Sequence, residues 1–348
     1  MSDGDGLTYR ASGVDIDAQD RALSGIKRLA KSTFTAGVLS DIGLFGGLFG
    51  LDPGDPKGTV LVASADGVGT KLKVAQLAGR YDTVGRDLVN HCVNDILVQG
   101  ARPLFFLDYF AAGRLVPEHL VSVVEGLAGA CRENGCALLG GETAEMPGLY
   151  AGEDFDLAGF IVGSVRRDAL LPRGVAPGDL LVGLPSTGLH TNGYSLARRL
   201  LFEHKGFRTD HYVPDLGGTV GDVLLAVHRS YLNPVSELLE RMPDAVTGLA
   251  HITGGGIPDN LPRVLPEGVG AVVRPSGWQE PPVFGYIRRE AKVPEDDMRR
   301  TFNLGVGLIL CVRRPFAEEA MALLRGKGES PFTVGELVEA PRGVVYAA

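Results

Sequence analysis

Three acidic residues occur where apolar segments of this sequence end or are interrupted, and carboxylates in such settings could bind a metal ion. Asp66 ends one segment (TVLVASAD), Asp95 lies inside another (VNHCVNDILV) and Glu142 follows a third (CALLGGE). Carboxylate oxygens without histidine or cysteine partners suit Mg²⁺, which usually bridges to the phosphates of a substrate. The sequence therefore predicts a magnesium site that contains Asp66, Asp95 and Glu142.

The stretch GVGTK that follows Asp66 could hold phosphates carried by such an ion. Lys71 supplies a cation, and the bare backbone of the glycine-rich loop supplies N–H donors. The order of residues differs from that of a Walker A loop, and the third glycine of a dinucleotide fingerprint is missing. A plain strand-turn-helix junction, with Asp66 as a turn residue, stays open as the alternative.

A second candidate site lies in the stretch STGLHTNGYSLARRL, residues 186–200. Hydroxyl side chains and the first turn of a predicted helix near Tyr194 would form an anion pocket. His190 is surrounded there by glycines and hydroxyls, so we assign it a functional role. A surface or capping role is expected for four other histidines: His119, His204, His211 and His228.

Strand-like and helix-like segments alternate along the chain, which is typical of an α/β protein. Amphipathic spacing predicts a helix at 118–133, punctuated by Pro117 and Gly135, and further helices at 72–78 and 220–241, the last interrupted near 233–234. A charged, proline- and glycine-bearing stretch at 166–179 indicates a boundary between domains 1–168 and 176–345. Strands are predicted at 60–63, 104–109, 137–139, 158–165, 180–184, 269–273 and 306–312.

The composition of the 348-residue chain narrows the possible functions. A net charge of −8 argues against a general nucleic-acid binder, although a local anion site remains compatible with it. The four cysteines form no metal-binding or CxxC pattern, which favours free thiols in a reducing compartment. We expect neither a signal peptide nor a membrane span, and therefore a cytoplasmic protein without membrane partners.

Seven stretches taken together resemble the phosphoribosylformylglycinamidine cyclo-ligase family, also called AIR synthetases. They are DGVGTK, VND, GGETAEMPG, GEDFDLAGF, HTNGYSLAR, HITGGGIPDNLPRVLP and RTFNLGVG, and the opening YRASGVDID is similar as well. The matches run in order from about residue 9 to about residue 307, which is nearly the whole chain.

The resemblance implies two α/β domains per subunit and a homodimer in which the N-terminal sheets form a barrel-like interface. It also implies ATP-dependent, Mg²⁺-dependent closure of the imidazole ring of aminoimidazole ribonucleotide from formylglycinamidine ribonucleotide, with release of ADP and phosphate. Whether a monovalent cation is required stays open. The fold class expected is therefore α/β (α+β), with an active site in the cleft between the domains.

The same resemblance implies roles for individual residues of this chain. Asp66, Asp95 and Glu142 would hold the metal, and Asp66, Lys71 and His190 would be catalytic. The substrate would contact His190, Thr191, Asn192 and Gly193. ATP would contact Lys27, Gly67, Gly69, Thr70, Lys71, Asn94, Asp95, Gly141 and Glu142.

Two other classes of function stay open beside the ligase. One is a nucleotide-binding or assembly protein that keeps the fold without turnover, and the other is a dehydrogenase, which the incomplete fingerprint disfavours. Within the wider superfamily, selenophosphate synthetase typically has a reactive Cys near its start, whereas the first Cys here is Cys92. Thiamine-monophosphate kinase lacks the GGETAEMPG and HTNGYS patterns. Formylglycinamidine ribonucleotide synthetase is usually a much longer chain or is split into several chains. A hydrogenase-maturation protein is a further relative.

Overall fold

A five-stranded sheet organises the first half of the computed structural model, which describes residues 12–13, 26–52 and 54–347. Most of the YRASGVDID motif therefore lies outside the described residues. The strands are β1 Gly47–Gly50, β2 Thr59–Gly67, β3 Arg102–Ala112, β4 Ala137–Glu145 and β5 Phe155–Arg166. Their order is β1-β2-β5-β3-β4, with β3 and β4 parallel and the other neighbours antiparallel. The four predicted strands of this half are confirmed.

The sheet is open within one chain, and the barrel-like interface expected of the dimer stays a prediction. Strands β1 and β4 are the two edges of the sheet order, so the sheet is open. One face is covered by helices and buries Val62, Phe106 and Ile161. The opposite, outer face leaves large apolar side chains exposed, among them Leu107 and Phe160.

A six-stranded sheet organises the second half. It contains β6 Leu180–Pro185, β9 Val246–His251, β10 Val269–Val273, β11 Val306–Val312, β12 Phe332–Glu339 and β13 Val344–Tyr346. The order is β13-β10-β12-β6-β11-β9, and only the β10–β13 pair is parallel. Strands β7 Tyr212–Val213 and β8 Gly218–Thr219 form a separate ribbon. The predicted strands of this half are also confirmed, as is the α/β fold class.

Helices cover the sheets, and the helix predicted at 118–133 begins and ends near the proline and glycine that mark its termini in the sequence. The helix Pro117–Glu133 begins at a proline, and Gly135 follows its end with a φ of 65°. The described α-helices, apart from a short one at 26–31, are α1 Lys71–Ala78, α2 Asp82–Leu97, α3 Pro117–Glu133, α4 Tyr194–Arg198, α5 Val220–Leu224, α6 Leu232–Arg241, α7 Gly256–Asn260, α8 Pro282–Ala291, α9 Glu295–Thr301 and α10 Ala317–Gly326. In the described part of the chain, every helix is too short or too polar to span a bilayer.

The predicted helix at 220–241 is interrupted earlier than expected. The break covers residues 225–231, between α5 and α6, and not the neighbourhood of 233–234. Pro234 lies in the first turn of α6, where its missing N–H leaves no helical hydrogen bond unmade. The irregular segment 225–231 packs against α2, which brings the two halves together.

Candidate functional site

Three glycine-containing loops from both halves meet beyond the end of β2. The loop 67–70 contacts the second half through Thr70 Oγ1, which lies 3.3 Å from Ser195 Oγ on α4. Asn192, in the HTNG loop 190–193, lies against the glycine cluster 254–256, because a methyl group on Gly254 would be 2.9 Å from Asn192 Oδ1. The structure thus brings the DGVGTK, HTNG and ITGGG motifs to one place.

Asp66 lies at this junction, on the helix-covered face of the first sheet. Its side chain is 40% exposed, so a carboxylate oxygen is accessible to a ligand. Oδ2 is 2.8 Å from Nε2 of His91 on α2, and Oδ1 accepts a 2.6 Å hydrogen bond from the N–H of Gly67. Burial opposes ionisation of Asp66, but the neighbouring His91 outweighs it and lowers the pKa of the carboxyl.

His91 is a buried cation of this site, although sequence reasoning assigned it no role. Burial disfavours the charged imidazole, but the carboxylates of Asp66 and Asp95 outweigh burial and raise its pKa to about 9. The side chain is almost completely buried, so solvent screens these interactions little. We therefore treat His91 as an imidazolium at neutral pH, with both ring N–H groups donating.

A continuous series of hydrogen bonds, here called the histidine chain, links His91 to Asp95. His91 Nδ1 donates to Thr191 Oγ1 at 2.8 Å, and this hydroxyl lies 3.4 Å from His228 Nδ1. His228 Nε2 lies 3.0 Å from His251 Nε2, and His251 Nδ1 donates to Asp95 Oδ1 at 2.8 Å. An Asp95 that accepts at one end and a His91 that donates at the other favour the tautomers in which His228 carries its proton on Nε2 and His251 on Nδ1.

The other histidines of the site are held neutral. Burial, together with nearby cationic groups, places the pKa of His190 and of His228 well below the usual range, and burial lowers that of His251. His190 stacks on His228 with ring centroids 4.0 Å apart. The site therefore combines one buried imidazolium, His91, with neutral imidazoles.

The predicted carboxylates differ in what they can offer a metal ion. Asp95 is buried, and its second oxygen, Oδ2, accepts from Ser64 Oγ at 3.2 Å, so both oxygens are already engaged. Both oxygens of Asp66 also accept a hydrogen bond, but its side chain is 40% exposed, so their remaining lone pairs are accessible to a metal ion. One carboxylate together with substrate phosphates and water is a common ligand set for Mg²⁺, so Asp66 fits a magnesium–nucleotide complex.

A transition-metal site within the histidine cluster fits less well. Ring nitrogens of His190, His228 and His251 lie within 4.8 Å of one another. However, the rings of His190 and His228 are within 20° of parallel, so their in-plane lone pairs do not converge on one ion. Hydrogen bonding and stacking account for this arrangement better than coordination does.

Glu142 lies away from Asp66 within the chain. A row of paired residues crosses the sheet from Glu142 on β4 to β2. The row continues through Tyr109 on β3 and Ala158 on β5 and ends at Gly67 on β2. Three strand spacings of ~4.8 Å separate Glu142 from β2 by roughly 14 Å. Strand alternation also puts Glu142 on the exposed outer face, opposite the face that carries Asp66. A single chain thus does not bring the three predicted metal ligands together.

Several other predicted ligand contacts are buried and already hydrogen-bonded. Lys71 is fully buried and forms an ion pair with Asp87. Asn94 binds the backbone of Arg229 and Tyr231. His190 accepts a 3.1 Å hydrogen bond from the N–H of Thr187, and its side chain lies beneath the surface.

The remaining predicted residues lie on loops or edges. Gly67, Gly69 and Thr70 form the loop beside Asp66, and Gly193 packs so closely that a methyl group there would lie 2.0 Å from Phe302. Gly141 is exposed on β4, one residue from Glu142. Lys27 lies on the helix 26–31 beside Gly43, and its contact with nucleotide stays a prediction.

Sequence reasoning included Asp95 and Thr191 but missed three other members of the histidine chain: His91 on α2, His251 at the end of β9 and His228 in the segment 225–231. His91 and Asp95 are spaced i, i+4 within α2, which could have indicated a shared face. His251 begins the quoted motif HITGGG. The surface or capping role expected of His228 is wrong, because its side chain is fully buried; no periodicity marks this irregular segment.

Comparison with known proteins identifies the family. The sequence matches the AIR synthase related protein family, its N-terminal domain over residues 36–165 and its C-terminal domain over 176–348. It is 53% identical over 333 residues to a phosphoribosylformylglycinamidine cyclo-ligase of Sorangium cellulosum, covering 95% of each chain. It is 47% identical over 340 residues to one of Alkaliphilus metalliredigens, covering 97% of each.

Solved structures show the same fold at lower identity. The structure of tt0281 from Thermus thermophilus has a TM-score of 0.62 and 22% identity, covering 96% of this chain and 98% of that one. AaThiL complexed with AMPPCP and TMP has a TM-score of 0.61 and 13% identity, covering 93% and 92%. The chain belongs to the phosphoribosylformylglycinamidine cyclo-ligase family of AIR synthase related proteins.

Proposed function

We propose that this protein uses ATP to close the imidazole ring of aminoimidazole ribonucleotide from formylglycinamidine ribonucleotide, releasing ADP and phosphate in purine biosynthesis. The observation that carries this proposal is the 47–53% identity, over nearly the whole length of both partners, to proteins named for this reaction. AaThiL, of similar fold, is complexed with AMPPCP, an ATP analogue, which supports ATP as the second substrate. A cytoplasmic location is part of the proposal.

The chemistry explains why a nucleotide is needed. An amide-type oxygen leaves poorly, and transfer of the γ-phosphoryl group of ATP to the formyl oxygen makes it part of a phosphate leaving group. An amidine nitrogen then attacks the same carbon, phosphate departs with the oxygen, and a proton is lost from the ring nitrogen. Positioning and charge neutralisation are therefore the main tasks of the protein.

Residues of the site would divide these tasks. Asp66 would hold Mg²⁺, which neutralises phosphate charge when bound. The loop 67–70 would direct backbone N–H groups at the phosphates, and the HTNG loop would contact the ribonucleotide through Asn192, the one half-buried residue among its buried neighbours. His91 would keep the Asp66 carboxylate oriented through their 2.8 Å contact.

Coupled measurement of ADP release tests the proposal directly. We expect release that depends on formylglycinamidine ribonucleotide and is matched by formation of aminoimidazole ribonucleotide. Binding of ATP without product would favour the nucleotide-binding alternative. Binding of NAD(H) in a titration would instead favour a dehydrogenase.

The outer face of the first sheet supports a homodimer as part of the proposal. Phe49, Leu107, Leu139 and Phe160 are 36–63% exposed on or beside this face in a single chain. A contiguous exposed apolar surface of this kind is typical of a protein interface. Glu142 lies on the same face and would therefore be at the dimer interface, and we propose that it reaches past the end of β2 of the partner chain to the site that contains Asp66 there.

Complementation between two inactive variants tests this arrangement. We expect Asp66→Asn and Glu142→Ala each to be nearly inactive alone. After mixing under exchange conditions, up to about a quarter of wild-type activity should return, because half the dimers are mixed and one of their two sites carries neither substitution. ADP release measures the recovery. If mixed dimers form but no activity returns, the two residues do not act from different chains.

A further inference from the structure

We infer that Lys71 is a positioning residue that holds the HTNG loop, and that it makes no contact with the phosphates of the nucleotide. The motif DGVGTK suggests a phosphate-binding lysine, but the structure uses this side chain between the two halves of the chain. The inference deepens the proposed function, because the ribonucleotide is the substrate expected to depend on this loop.

Three oxygen atoms of the protein surround the Lys71 ammonium, two of them as hydrogen-bond acceptors and one as an ion-pair partner. Nζ lies 2.8 Å from Asp87 Oδ2, 3.1 Å from the carbonyl oxygen of His190 and 2.8 Å from the carbonyl oxygen of Ala226. Lys71 and Asp87 are both completely buried. The ammonium is therefore enclosed by the protein, and to reach a phosphate it would have to leave the buried Asp87 carboxylate unpaired, which is strongly unfavourable.

Lys71 contacts the HTNG loop at His190, a residue with a strained backbone conformation. His190 has a φ of 60°, a left-handed conformation that non-glycine residues adopt at an energetic cost. Its carbonyl is held by Lys71, while its ring nitrogen Nε2 is held by the N–H of Thr187. These two contacts fix the backbone that continues into Thr191 and Asn192, which face the other loops of the site.

Lys71 also belongs to a larger set of contacts that anchors the segment 225–231. Asp87 Oδ1 accepts from the N–H of His228 at 2.7 Å, and Asn90 Nδ2 donates to the carbonyl of the same residue at 2.7 Å. Asn94 binds the backbone on the other side of His228. His228 stacks on the ring of His190, so α2 supports that ring through His228. It also supports the backbone of His190, because Asp87 on α2 pairs with Lys71 and Lys71 donates to the His190 carbonyl.

Replacing both Lys71 and Asp87 by uncharged residues distinguishes a role of Lys71 in positioning the HTNG loop from a role in binding phosphate. The variant Lys71→Met/Asp87→Asn removes both buried charges, and the asparagine oxygen can still accept from the N–H of His228. Lys73→Met is the matched control, since Lys73 lies on the same helix in a partly exposed ion pair with Asp154. Affinity for Mg–ATP is measured by calorimetry, and kcat and KM are measured for both substrates.

Positioning predicts that the double variant binds ATP as the wild type does and loses about tenfold or more in kcat/KM for the ribonucleotide. The control should match the wild type in both. A folded double variant that loses ATP affinity, or that uses both substrates normally, would overturn the inference.

Amine labelling of the unaltered protein decides the question even if the double variant fails to fold or the proposed reaction is not found. The free protein is treated with an amine-reactive reagent, with and without Mg–ATP, and labelled lysines are identified by mass spectrometry. We expect Lys73 to be labelled and Lys71 to be protected in both conditions. Labelling of Lys71 in the free protein that ATP suppresses would assign it to the phosphates.

Discussion

The variant Asp66→Asn is expected to lower kcat for ADP release by about 10²- to 10³-fold while the protein stays folded. The asparagine oxygen can still accept from the N–H of Gly67, and its Nδ2 can donate to Nε2 of a His91 that has become neutral, so the geometry of the strand end is retained. The negative charge is lost, however, and with it the carboxylate that is accessible to a metal–nucleotide complex. The loss should appear in kcat because charge neutralisation matters most during phosphoryl transfer.

The control for this variant is Asp222→Asn, which removes an exposed carboxylate paired with Arg80 on the surface. It should leave both turnover and folding unchanged, since exposed ion pairs contribute little. Circular dichroism and ATP titration accompany the rate measurement. If Asp66→Asn instead unfolds at ordinary temperature, or retains normal turnover, the carboxylate has a structural role and the proposed metal contact is wrong.

His91 should make the stability of the protein depend on pH in the neutral-to-alkaline range. Its pKa rises from the usual 6.5 to about 9 in the folded state, so the folded protein holds this proton more tightly. The resulting stabilisation is fully present below pH ~6.5, declines as the pH rises through 9 and is absent above it. A rise of this size corresponds to about 3 kcal/mol of unfolding free energy.

Denaturant unfolding of the wild type and His91→Gln, free of nucleotide and with a chelator present, measures this effect. The difference in unfolding free energy should be largest near pH 6 and should shrink steadily towards pH 10. His119→Gln, at a residue that stacks on Tyr81 outside the histidine chain, is the control and should show no such trend. A difference for His91→Gln that stays constant over this range would mean that the buried imidazole is not charged.

The strands and the loops that carry the site could be predicted from the sequence because both depend on local patterns. Apolar runs that end in Gly-rich stretches indicate where strands stop, and ligand sites of α/β sheets tend to lie at such ends. This reasoning located Asp66, the 67–70 loop and the HTNG loop, which the structure brings together.

The position of Glu142 could not be predicted in the same way, and a single residue accounts for the difference. Strand β4 has a bulge at Leu139, between the pairs Phe106–Leu138 and Leu107–Gly140. Without the extra residue, Glu142 would pair with Phe110 and point to the helix-covered face. One inserted position reverses the face of every later side chain, and a bulge has no reliable sequence signal.

The histidine chain was missed for a different reason. Its members come from α2, the HTNG loop, the irregular segment 225–231 and the end of β9. Only packing between the two halves brings them together, so no spacing within the sequence reports it. The contacts of Lys71 could not be predicted for the same reason. Its motif is typical of phosphate contact and does not indicate that Asp87 and two backbone carbonyls bind the ammonium.

The irregular segment 225–231 has a consequence for how the chain acquires its structure. Several of its peptide groups find their partners on Asp87, Asn90 and Asn94, all from the first family domain. In a fragment that begins at residue 176, those peptide groups would lose their partners and be exposed to water, and His228 would no longer be buried. These contacts make the segment 225–231 of the second domain depend on the first, and we expect the two domains, produced as separate chains, to be less stable apart than together.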